Sequence, residues 1–122
     1  MQERILPAGH LHRAFTANNT GESLLALGRH AEALAAFTAA ESIARAAPTP
    51  DHELLGLVLA GKGAALQALQ RPDEARAALL DARATAARGP GGAEALAELD
   101  ARLVALARAS VGDGAKKNRP RR

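Results

Sequence analysis

The stretch Leu27–Ala40, LGRHAEALAAFTAA, returns 42 residues later as Leu69–Ala82, LQRPDEARAALLDA, with seven of fourteen positions identical. Four of the seven are Ala, a cheap match in a chain with 32 Ala among 122 residues, so the weight falls on Leu27/Leu69, Arg29/Arg71 and Glu32/Glu74. The same offset relates Gly21 to Gly63, Leu24 to Leu66, Ala33 to Ala75, Ala40 to Ala82 and Pro48 to Pro90. A fixed period of this size signals a repeat architecture. In such arrays one unit cannot bury its apolar face alone, and stacking the next unit against it supplies the missing partner.

The unit is helical. Leu and Ala, the strongest apolar helix formers, supply almost all the apolar residues. The aromatic and β-branched residues that favour strands are scarce: two Phe, no Trp and no Tyr. Punctuation by Gly and Pro predicts five helices. They cover about Gly9–Leu27, His30–Ala47, Pro50–Leu69, Pro72–Arg88 and Ala93–Ser110. The second carries Ala33, Leu34, Phe37, Ala40, Ile43 and Ala44 at the three-and-four spacing of an amphipathic face. Thr49 is a candidate N-cap for the third, with Pro50 at its first position. Small Ala at repeated positions allows close helix approach, and the bulkier Phe37 or Leu79 fills the space between repeats. The domain plan is an N-terminal segment 1–7, a repeat domain 8–110 (units 8–48 and 49–90, then a capping helix 91–110) and a disordered basic tail 111–122.

These positions resemble a tetratricopeptide repeat. That family's small residue, Leu or aromatic, turn Gly, Ala, aromatic, Ala and Pro fall on Gly21, Leu24, Gly28, Ala33, Phe37, Ala40 and Pro48 in the first copy. In the second they fall on Gly63, Leu66, Gln70, Ala75, Leu79, Ala82 and Pro90. The period departs from the family's usual ~34 residues and is similar to the long-helix variety of kinesin light chains and many bacterial regulators. The early aromatic of the family's first helix is missing, with Ala17 and Leu59 in its place. The resemblance implies an all-α, right-handed superhelix of two helical hairpins plus a C-terminal cap. It also implies a protein-interaction role through a groove lined by the first helix of each hairpin. By position the groove residues would be Phe15, Asn18, Asn19, Glu22, Leu57, Ala60, Gly61, Ala64 and Gln67. For the apolar ones the competing reading is packing within the domain. Asn18 and Asn19 stand out, because a helix interior disfavours Asn while its amide can pair with a partner's backbone. The basic residues with which the family clamps a terminal carboxylate are absent from these positions.

Other chemistries find little support. His10 and His12 are two apart, roughly 200° around a helix, and no Cys joins them, so His10, His12, His30 and His52 suggest no metal site. Glu94, Glu98 and Arg102 fall at i, i+4 and i+8, which predicts a solvated ion-pair ladder. Neither a nucleophile elbow nor a phosphate-binding loop is present, so no catalytic set and no cofactor is expected. The net charge of +3 is a property of the tail: Lys116, Lys117, Arg119, Arg121 and Arg122 carry five charges, and the remainder holds 11 basic against 13 acidic residues. The body therefore offers no general nucleic-acid face. The tail is either a solubilising linker or a contact for nucleic acid or another anionic partner. Leu54, Leu55, Leu57, Val58 and Leu59 cover most of the third helix's circumference, leaving homodimerisation as a further alternative. No stretch approaches the ~18 apolar residues of a membrane span, no signal-peptide core is present, and the absence of Cys suits a reducing cytoplasm. Heavy use of Ala, Arg and Gly is associated with GC-rich bacterial genomes.

Overall fold

The computed structural model describes residues 7–48, 51–89 and 92–117, with side chains at 9–48, 51–89 and 93–109. Five helices follow one another: α1 (Pro7–Ala26), α2 (His30–Ala46), α3 (His52–Ala68), α4 (Pro72–Ala86) and α5 (Gly92–Lys117). No strand occurs among the described residues. α1 packs on α2 and α3 on α4 as two hairpins, α2 meets α3 between them, and α5 closes against α4. The fold is the expected all-α array of helical hairpins. No helix of the described residues is long and apolar enough to cross a membrane.

The hairpin turns explain why the offset is so faithful at Gly28 and Gln70. Gly28 has φ 79° and Gln70 φ 59°, both in the left-handed region. In the first turn Arg29 N–H donates to Leu24 O at 2.9 Å and Gly28 N–H to Leu25 O at 3.1 Å. In the second, Arg71 N–H donates to Leu66 O at 2.9 Å and Gln70 N–H to Gln67 O at 3.0 Å. This is the Schellman pattern, which satisfies the last carbonyls of the outgoing helix. It leads directly into the next helix, whose first residue follows Arg29 or Arg71.

Two helix ends differ from the sequence expectation. α3 begins at His52 with Asp51 at its N-cap, where the sequence suggested Thr49; the Asp51 Oδ1 accepts from Leu54 N–H at 3.0 Å. A carboxylate is a strong N-cap and its charge complements the helix dipole. Thr49 and Pro50 lie outside the described residues. α5 runs to Lys117, past the expected end at Ser110 and into the segment expected to be a disordered tail from Val111. No Pro interrupts it within these residues, and Gly112 and Gly114 cost only about 1 kcal/mol each relative to Ala. Arg119, Arg121 and Arg122 lie outside the described residues.

The interface between repeats is set by matched sizes. Phe37, fully buried, lies over two glycines: a Cβ at Gly21 of α1 would fall 2.8 Å from the ring, and one at Gly61 of α3 would overlap it. One repeat on, fully buried Leu79 stands at the Phe37 position and its side chain lies 3.0 Å from where a Cβ on Gly63 would be. Leu103, 42 residues after Gly61, packs against the cluster containing Leu79. A larger side chain thus meets Gly in the first interface, and a smaller one shares its cluster with Leu in the second. The apolar surplus of α3 is largely absorbed: Leu54, Val58 and Leu59 are buried, Leu55 is half-buried, and Leu57 is left exposed.

Charges reinforce this register. The Glu41 carboxylate of α2 accepts from Arg45 Nε at 2.9 Å and from Lys62 Nζ of α3 at 2.8 Å, and Arg45 reaches Asp81 of α4 at 2.9 Å. Arg83, 42 residues after Glu41, pairs with Asp100 of α5 at 2.6 Å. The sign at this position is reversed between the two interfaces. Burial pushes the Glu41 carboxyl up, but hydrogen bonds and charge from Lys62 and Arg45 outweigh it and hold the group below its ordinary value.

Candidate functional site

A groove of about 620 Å³ runs across α1, α3 and α5. Its walls recur at the repeat offset. Phe15, Leu57 and Leu99 occupy one repeat position, Ala60 and Arg102 a second, and Glu22 and Ala64 a third. The floor lies where Gly61 brings the α3 backbone down onto the Phe37 ring. Phe15 and Leu57 keep 49% and 44% of their surface exposed, although both are large apolar residues, so the groove presents two unsatisfied apolar contacts to solvent. Single exposed apolar residues are ordinary; here two share one concave surface.

Of the nine residues expected at the groove, Phe15, Glu22, Leu57, Ala60, Gly61 and Ala64 line it. Asn19 and Gln67 are exposed but do not line it. Asn18 is a correction. It is 1% exposed, and neither amide atom has a hydrogen-bond partner among the described residues. The cause is its spacing from Gly21: residues three apart share a helix face, and Gly21 is buried under Phe37. The face that carries Asn18 is therefore drawn toward the interior, away from a partner's backbone.

The fifth helix is more than a cap. Ala95, Glu98, Leu99 and Arg102 form the third wall of the groove. The offset of 42, carried past residue 90, was the signal for this, since it places Leu99 under Leu57 and Arg102 under Ala60. The expected ion-pair ladder on this helix is absent among the described residues. Arg102 instead donates to the Ala60 carbonyl of α3 at 3.1 Å, fastening α5 to the preceding repeat. A carbonyl has two lone pairs, so a helical C=O can accept this second donor without losing its own bond.

The electrostatics of the groove are one-sided. Glu22, Asp51, Glu53 and Glu98 line it, and Arg102 is the one cation among its lining residues. Glu53 sits in the first turn of α3, near the positive end of the helix dipole. Among the described residues no group of three or more metal-ligating side chains is placed to hold an ion.

No curated protein and no solved structure shows significant similarity to the chain. A family model described as tetratricopeptide repeat matches residues 12–88, from the first groove-forming helix to the end of the second hairpin. With two stacked hairpins in register and the family's small and turn residues at their places, the chain belongs to the tetratricopeptide-repeat family.

Proposed function

We propose that this protein is a non-enzymatic interaction module that captures a segment of a partner protein in the groove across α1, α3 and α5. Tetratricopeptide-repeat domains generally bind proteins, and this carries the general role. The observation that carries the specific reading is the pair Phe15 and Leu57, half-exposed at one repeat position in the same concave groove. Burying such side chains under a partner gains roughly 25 cal/mol per Å² of apolar area removed from water. Small residues at 60, 61 and 64 leave the α3 backbone open to close approach.

Leu57→Glu tests the reading, because its side chain is exposed and the change leaves the core untouched. The variant is expected to keep its helical circular dichroism and melting temperature while losing the partners captured by the wild-type chain from a lysate of its host. Unchanged capture by a folded Leu57→Glu protein would contradict the groove as the binding face.

A further inference from the structure

The groove gathers four carboxylates, Glu22, Asp51, Glu53 and Glu98, on one concave surface. Outside it, Glu32, Glu41, Glu74, Asp81 and Asp100 each have an Arg or Lys partner, while Asp73 and Glu94 stand singly among the described residues and away from any apolar cavity wall of the groove. Glu22, Glu53 and Glu98 have no cation within ion-pairing distance among the described residues, and the Asp51 carboxylate is occupied in capping α3. Arg102 turns one of its donors to the Ala60 carbonyl. Four carboxylates and one guanidinium therefore face the same cavity as the exposed Phe15 and Leu57. Unpaired like charges around a concave, low-dielectric wall focus a negative potential into it, which draws cations and repels anions.

Resting on the groove reading above, we infer that the occupant is a cationic peptide segment of a partner protein: it seats apolar side chains on Phe15 and Leu57 and flanks them with Lys or Arg that pair with Glu22, Glu53 and Glu98. The apolar contacts give the segment affinity, and the carboxylates give it selectivity and faster encounter. Acidic segments are rejected because they would bring like charge to groups that have no counter-ion of their own. A guanidinium or ammonium arriving at these positions supplies an ion pair of the kind that Glu32, Glu41, Glu74, Asp81 and Asp100 already have within the fold.

The test is selection from a random dodecapeptide library displayed on phage, panned against the full chain, keeping the peptides whose binding is lost with Leu57→Glu. The inference predicts that these Leu57-dependent peptides are net positive and that their binding weakens as salt is raised. It further predicts that the double variant Glu53→Lys, Glu98→Lys binds them on the order of tenfold more weakly. Repeating the selection on that variant should yield neutral or acidic peptides. Glu53→Gln with Glu98→Gln serves if the Lys pair fails to fold, with a smaller loss expected. Glu32→Lys with Asp73→Lys makes the same change in net charge outside the groove and should leave affinity within about twofold. Leu57-dependent peptides that are neutral or acidic overturn the charge selectivity and leave the groove reading standing. Equal weakening by the Glu32/Asp73 pair overturns it as well, by reducing it to net charge. Failure to recover any Leu57-dependent peptide overturns the groove reading itself, and this inference with it.

Discussion

Phe37 is the largest fully buried side chain, and it is accommodated by what its neighbours lack. Gly21 and Gly61 supply the space for its ring from two different helices, one in its own repeat and one in the next. Adding a methyl group at Gly61 forces the ring or the α3 backbone to move in an interior packed too densely to absorb it. Gly61→Ala is therefore expected to destabilise the fold by about 1–3 kcal/mol, measured as a lower urea midpoint with an unchanged slope. Phe37→Leu, which leaves a cavity in the wild-type background, should cost less in the Gly61→Ala background, because the smaller side chain vacates the space the methyl needs. A double-mutant cycle should then show a coupling of about 0.5–3 kcal/mol, and additive losses would mean that the two residues do not share the interface. Asn18 shows the limit of residue-level inference: its identity suggests a surface role, yet a glycine three positions away turns its face inward.

The helices and their order were legible because each boundary carries a physical marker. Pro72 starts α4 where its missing N–H costs nothing, and Gly28 ends the first helix in the left-handed conformation. The period exposed Gly21, Gly63, Phe37 and Leu79 because size matching between stacked helices leaves an imprint in residue volume. Other features were hidden for equally physical reasons. Sequence alone places the cap of α3 two residues early, on Thr49, because Thr-Pro matches a helix start as well as the Asp51 that caps it. The third wall of the groove was obscured because α5 replaces the Ala and Gly of α3 with Glu98 and Arg102, so that the repeat persists in position but not in composition. The tie between α2 and α3 makes a prediction at this scale. A carboxyl held below its ordinary value of 4.5 in the folded chain stabilises the fold fully above that value, and the contribution disappears as the pH falls through the lower folded value. Glu41→Gln should therefore be less stable than the wild type at pH 7, with the gap between their urea midpoints narrowing by pH 3. A gap that does not change with pH would show that the Lys62 and Arg45 contacts carry no charge linkage.

On the scale of the whole molecule, duplication gives one hairpin a second to lean on, and α5 gives the second hairpin the same cover. Three helices at the same repeat position then turn one face each toward a common groove, so the packing that stabilises the array also shapes that groove. The reversed charges at Glu41 and Arg83 help keep the repeats in sequence, since exchanging the interfaces would bring like charges together. On the function proposed above, this shared face, and not the outer face of α2 and α4, receives the partner. Amide chemical-shift mapping of the ¹⁵N-labelled chain during titration with a Leu57-dependent peptide tests it most directly. One contiguous set of perturbed amides is expected that includes Phe15, Glu22, Leu57, Ala60, Ala64 and Leu99, with Thr38 and Ala77 on the other side unmoved; perturbations centred on α2 and α4, with those groove amides unchanged, would place the partner on the opposite face.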